Sequence, residues 1–296
     1  MNQKNLTSPS ILVIGDVMVD RYWFGSPNSL AQEAPVAVLG INTSEDRAGG
    51  AANVAVNIKK LGGHVAILAP LGNDEAGKSL IQILNKENIV QEWIYENNQT
   101  ICKHRILSQH QQMVRVDFEQ RYHPIVLNEQ IKQTISQYDV IVCSDYNKGT
   151  LDFSAQIISF AKSIGKFVIV DPKGTDFTKY QDAYMLTPNY KEFTDVVGTI
   201  KDQNDFDLKA YNLLNKLNLE YLLVTCGKEG MILYGKDKFK YSASSYARQV
   251  YDVTGAGDTV IASLAISLAN QEDKIKAVER ASHAAAVVVS KVGTHF

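Results

Sequence analysis

The chain has 296 residues, 45% of them apolar and 21% charged, which suits one large α/β domain or two small ones with a sizeable core. Thirty basic residues against thirty-two acidic ones leave a formal charge of −2. No basic block interleaves with aromatics and no apolar run approaches membrane-spanning length, so neither nucleic acid nor a membrane is expected as a partner.

The polar stretch Met1 to Ser10 leads into a short apolar strand, Ile11 to Gly15, and does not have the form of a signal peptide. After it, short apolar runs alternate with helical periodicity. Val65–Leu68, Val140–Cys143, Phe167–Val170 and Tyr221–Val224 read as strands buried on both faces. Helices are predicted at about 50–62, 74–87, 126–137, 152–164, 189–197, 205–217, 256–269 and 272–290. Strands separated by helices of this length imply right-handed βαβ units and a mostly parallel sheet with helices on both faces.

Two segments break this rhythm. Val36–Ile41 carries a strand signal with no crossover helix. Thr100–Leu107 and Gln112–Phe118 read as an antiparallel pair. The expected organisation is a single domain over residues 1–296, with a small β-lid from segments at about 17–42 and 92–118. Cys102, Cys143 and Cys226 are dispersed and odd in number, against a disulfide framework or thiolate metal site and in keeping with a reducing, cytoplasmic setting.

In open α/β sheets, ligands sit beyond the carboxyl ends of the strands. Polar residues gather there repeatedly: Asp16 and Asp20; Ser144 to Gly149; Asp171 to Gly174; Thr187, Pro188, Asn189 and Glu192; Thr225, Gly227 and Gly230. Each group alone is ordinary turn chemistry. Five on one edge point to a shared site.

Two motifs carry more. Gly49-Gly50-Ala51-Ala52-Asn53 opens a helix with Val54, Ile58 and Leu61 as its apolar stripe. Gly255-Ala256-Gly257-Asp258 opens another, with Ile261, Leu264, Ala265 and Leu268. Glycines and free amides at a helix start suit an anion. A carboxylate in that turn would repel phosphate, unless it takes a proton from an attacking hydroxyl while the amides of Gly255, Ala256 and Gly257 hold the phosphoryl group. An ordinary capped helix start would use similar residues.

The two motifs, in this order and about 200 residues apart, resemble the ribokinase-like (PfkB) sugar kinases. That resemblance implies a ribokinase-like fold, ATP with Mg²⁺, Asp258 as catalytic base, and a lid that pairs two subunits into a homodimer. It places Asp20, Gly49, Gly50 and Asn53 on sugar hydroxyls, with Asp16 nearby. Asn189 and Glu192 match a motif that orders magnesium and phosphates through water. Thr225, Gly227 and Gly230 match a loop along the nucleotide phosphates, His283 a position beside the adenine, and Asp252 a residue near a monovalent cation, potassium in several relatives.

The likeness is narrower in Gly15–Trp23, Glu33–Val36, Ser144–Gly149, Asp171–Phe177 and Val250–Thr259, which resemble heptose 7-phosphate kinases of lipopolysaccharide precursor synthesis. It implies phosphorylation of D-glycero-β-D-manno-heptose 7-phosphate at its anomeric hydroxyl, for ADP-heptose synthesis. In bifunctional relatives a nucleotidyltransferase follows; this sequence is expected to supply the kinase step alone. A phosphorylated substrate needs cations, and Arg105, Lys148, Lys173 and Lys103 are the candidates, with Asp145 beside them. The rival readings are another sugar or sugar-phosphate kinase of the same fold, and a sugar- or nucleotide-binding regulator without catalysis.

Overall fold

A computed structural model of the chain describes residues 10–108, 111–246 and 254–290. In chain order, β1 (Ser10–Gly15), β2 (Val17–Leu30) and β3 (Ala37–Gly50) lead into α1 (Ala51–Lys60). Then come β4 (His64–Gly72), α2 (Glu75–Lys86), β5 (Val90–Glu96), β6 (Cys102–Ser108) and β7 (Gln111–Phe118). The middle of the chain supplies α3 (Glu129–Ser136), β8 (Val140–Ser144), α4 (Ser154–Ser163), β9 (Phe167–Asp171) and β10 (Met185–Leu186). The remainder is α5 (Tyr190–Val197), α6 (Gln203–Lys216), β11 (Tyr221–Thr225), β12 (Met231–Gly235), β13 (Lys240–Ala243), α7 (Ala256–Ala269) and α8 (Lys274–Val289).

The main sheet has nine strands in the order β13-β12-β11-β10-β9-β8-β1-β4-β5. Its strands from β11 to β5 pair in parallel, and β12 and β13 add an antiparallel edge. The strand order reverses at β1, which lies between β4 and β8, and the crevice at such a switch point is where ligands collect. The inner strands read as continuous apolar runs because both faces are covered. Val13 and Val142 point into one helix layer, Leu12 and Ile141 into the other, all fully buried.

A second sheet, β3-β2-β6-β7, stands off the carboxyl edge of the first. It is the β-lid expected from the sequence, built from two 14-residue strands and the pair β6–β7. One boundary needs correction. Residues 92–96 belong to β5, which pairs with β4 from Ala66↔Val90 to Gly72↔Glu96 and closes the main sheet, with Trp93 packed against the core. Lid register puts Asp20, Tyr22, Arg47, Lys103 and Arg105 on one face, since residues paired across strands share a side. Arg21 and Asp46 fall on the other, where they meet Ser79 and Glu75 of α2.

Candidate active site

Two helix starts meet at the carboxyl end of β1. Gly50, the residue before α1, has φ of 59°, and a Cβ there would lie 2.3 Å from the Asp16 carbonyl oxygen. Only glycine lets α1 begin that close to the strand; the Ala51 amide donates to the same carbonyl at 2.9 Å. Gly255 precedes α7 in the left-handed region, φ 78°, and among the described residues no side chain caps that helix. Its first amides therefore have no partner within the helix and suit an anion.

Helices α1 and α7 lie side by side, tied by Asn57 Nδ2 donating to Thr259 Oγ1 at 3.2 Å. One turn nearer the lid, Asn53 Nδ2 donates to Asp258 Oδ2 at 2.6 Å, and the Tyr146 hydroxyl donates to Asp258 Oδ1 at 2.7 Å. The two glycine-rich motifs thus converge on one buried carboxylate. Burial raises the Asp258 pKa above its ordinary value, opposed by the hydrogen bonds from Tyr146 and Asn53 and reinforced by the Asp20 charge. Asp171, at the end of β9, is raised well above the usual carboxylate range, first by burial and then by Asp258 and Glu192. A cluster of like charges poised around an anion-binding turn favours a cation between them.

On one side of Asp258, a cavity of about 620 Å³ is lined by Asn189, Thr225, Gly227, Gly230, Ala256 and Gly257, with Ser282, Ala285 and Ala286 of α8 as its far wall. On the other side lies the lid face carrying Asp20. Gly49 flanks the Asp20 carboxylate, and Arg105 Nη1 donates to it. Arg47 lies over the Tyr22 ring, 4.2 Å from its centroid. Lys103 and Lys148 converge on the Glu119 carboxylate, and Lys103 also reaches Asp117. This face is rich in cations, each neutralised by a nearby carboxylate.

Three expected residues stand elsewhere. Asp16 is fully buried and its carboxylate accepts from the backbone amides of Tyr146, Lys148 and Thr150, at 2.8, 3.0 and 3.2 Å, so it shapes the loop after β8. Asp145 accepts from Lys179 and the Tyr180 hydroxyl at 2.6 and 2.7 Å, on the core side of the same loop. Lys173 pairs with Glu192 of α5 at 2.7 Å and not with a carboxylate of the lid. Asn189 and Glu192 form a capping box at the start of α5, each accepting the other's amide. The His283 ring stacks on Tyr246 with centroids 3.5 Å apart, one position round α8 from the cavity wall. Asp252 lies outside the described residues.

The small residues of α8 were not singled out from sequence, and Tyr146, within the Ser144–Gly149 segment, was given no role of its own. The serine and alanines do show a signal, small side chains at three- and four-residue spacing on one helix face. The contact of Tyr146 with Asp258 has no sequence signal, because the two lie 112 positions apart. Among the described residues no group of three or more His, Cys, Asp or Glu could hold a metal unaided. The acidic pair Asp171 and Glu192 fits a magnesium ion that arrives with, and shares its ligands with, nucleotide phosphates. No helix of the described residues is long and apolar enough to cross a membrane.

The chain is similar to known proteins over nearly its whole length. A family model described as pfkB family carbohydrate kinase matches residues 8–296. The chain is 43% identical to the Bifunctional protein HldE of Hydrogenovibrio crunogenus over 297 residues, 99% of this chain and 62% of that protein. It is 44% identical to the protein of the same name from Actinobacillus pleuropneumoniae over 288 residues, 96% of this chain and 61% of that one. The chain therefore spans less than two thirds of the length of these relatives. Arabidopsis thaliana ribokinase complexed with ribose and ATP superposes with a TM-score of 0.80 at 21% identity, covering 97% of this chain and 94% of that one. Phosphofructokinase-2 from Escherichia coli in complex with potassium gives 0.80 at 20% identity, covering 97% and 94%. At these identities the structural likeness concerns the ribokinase-like fold.

Proposed function

The chain belongs to the pfkB family of carbohydrate kinases and is an ATP-dependent sugar kinase, and we propose that its acceptor is D-glycero-β-D-manno-heptose 7-phosphate. The anomeric hydroxyl receives the γ-phosphoryl group, giving the 1,7-bisphosphate used for ADP-heptose and lipopolysaccharide inner-core synthesis. The observation that carries this reading is the place of Asp258. It is hydrogen-bonded to Asn53 on the lid side and adjacent to Gly257 in the cavity wall on the other.

In this reading ATP occupies the 620 Å³ cavity, its phosphates along Thr225, Gly227 and Gly230 and its base toward the wall of α8. The sugar lies under the lid, where Asp20 accepts from its hydroxyls and Asn53 both donates and accepts. Asp258 removes the hydroxyl proton as attack begins, and the amides of Gly255, Ala256 and Gly257 stabilise the transferring group. Asp171 and Glu192, the latter through water, would hold magnesium, which neutralises phosphate charge when bound.

The substrate's own phosphate is assigned to the cationic lid face and the neighbouring loop after β8, which meet at Glu119. Lys103, Arg105 and Lys148 are only 15%, 15% and 25% exposed, yet each faces a carboxylate that a phosphate could replace. The narrower sequence likeness to heptose 7-phosphate kinases supports the same acceptor. A potassium ion near Asp252 is carried by resemblance alone. Pairing of two copies through the lid is supported by the outer strand β7, where Val114, Val116 and Phe118 are 45%, 41% and 51% exposed on an open sheet edge. The expected setting is the cytoplasm.

The test is ATP consumption against a panel: heptose 7-phosphate, the same heptose without phosphate, fructose 6-phosphate, fructose and ribose. The heptose phosphate should give the highest kcat/KM. A higher value for a hexose phosphate would assign the chain to another sugar-phosphate kinase, and activity on none would favour a binding role.

A further inference from the structure

The loop after β8 holds a side chain that no part of the reading above uses. Tyr146 donates its hydroxyl to Asp258 Oδ1 at 2.7 Å, while Asn53 occupies Oδ2. Its backbone is fixed independently, because its amide donates to the fully buried Asp16 carboxylate, which also takes the amides of Lys148 and Thr150. Its ring packs with Met18, Ile101 and Tyr122 at the foot of the lid. The phenol is thus held from the main sheet and from the lid, and its one polar atom meets the base.

We propose that Tyr146 is a positioning residue that fixes the Asp258 carboxylate and holds it in the ionised form needed to accept a proton. The inference rests on Asp258 being the general base. When Asn53 turns to a sugar hydroxyl, Oδ2 is released to face the acceptor, and Tyr146 is the donor that still holds Oδ1. Each carboxylate oxygen has two lone pairs, so the hydroxyl of Tyr146 does not block proton transfer to Oδ2.

The charged groups near Asp258 among the described residues act the other way. Asp20 from β2 raises its pKa, burial raises it more, and Asp171 from β9 presents a further carboxylate on the cavity side. Among the described residues, the hydrogen bonds from Tyr146 and Asn53 oppose this rise. Burial, then the Asp258 charge, push the Tyr146 phenol far above its usual pKa, so it stays protonated and donates across the working range.

Removing the hydroxyl while keeping the ring is the direct probe. In Tyr146→Phe the ionised form of Asp258 loses a donor, so its pKa rises and the acid limb of the kcat/KM profile moves to higher pH. The expected displacement is about one pH unit, the size of a single charge-assisted hydrogen bond. Two measurements separate this from a structural defect. The ¹³C carboxyl resonance of Asp258 in the free protein, assigned by its loss in Asp258→Asn, should titrate about one unit higher in Tyr146→Phe by the same reasoning. The KM for ATP should stay at the wild-type value. An unmoved resonance, or a loss of activity equal at every pH, overturns the proposal. Substantial turnover by Asp258→Asn would instead overturn the assignment of the base, and is read separately.

Discussion

Asp258→Asn is expected to lower kcat by about 10²–10⁴, the usual worth of a positioned general base, with little change in KM for ATP or the sugar phosphate. The carboxylate is buried at the third position of α7, one residue beyond glycines whose amides suit an anion. An amide side chain fills the same space but cannot take the proton of an attacking hydroxyl. Because burial raises the Asp258 pKa, the wild-type acid limb should lie above the ordinary Asp value. Activity falls as pH drops through that raised pKa, since the protonated carboxyl is no base. Steady-state kinetics on the variant, with ATP binding measured separately, checks both parts. Near wild-type turnover would remove Asp258 from its role.

The second large effect concerns the phosphate of the acceptor. Lys148→Met should reduce kcat/KM for heptose 7-phosphate about ten- to hundredfold, the range of one charge-assisted contact. The same heptose without phosphate should lose far less, and the KM for ATP should hold. The structure makes Lys148 a better choice than Lys173, which is paired with Glu192 of α5, a residue assigned to the nucleotide's magnesium. Lys173→Met is expected to move the ATP parameters and leave the sugar phosphate nearly untouched. Glu119 supplies a change of opposite sign: it occupies both Lys103 and Lys148, so Glu119→Gln should lower KM for the phosphorylated acceptor. Equal losses with and without the substrate phosphate in Lys148→Met would place that phosphate elsewhere.

The framework of the fold was legible because its physics is local. Inner strands covered on both faces are apolar throughout, as in Val140–Cys143, and helices such as α2 and α6 carry caps and periodicity that mark their ends. The lid was legible only in part. β2 runs through Gly25, Ser26, Pro27 and Asn28, residues that read as a turn, and it is held as a strand by its neighbours β3 and β6. The segment from residue 92 was assigned to the lid because it carries a strand signal with no crossover helix before the pair that follows, which suits an edge strand of the main sheet equally well.

For the site, residue type gave position but not orientation. Asp16, Asp20 and Asp145 all follow strands and look alike in sequence. Three amides claim the first, an arginine meets the second, and Lys179 with Tyr180 claims the third. Only coordinates distinguish a carboxylate that shapes a loop from one that faces a ligand. The same holds for Tyr146, whose partner is set by the meeting of β8 with α7.

The central claim is that this chain transfers the γ-phosphoryl group of ATP to the anomeric oxygen of a heptose already phosphorylated at its far end. Phosphorus NMR of the product tests it most directly, using purified protein, magnesium, ATP and D-glycero-β-D-manno-heptose 7-phosphate. The account predicts a second sugar phosphate resonance, coupled to the anomeric proton, appearing in step with ADP and absent with Asp258→Asn. A new phosphate on any other carbon, or ADP accompanied only by inorganic phosphate, would contradict it.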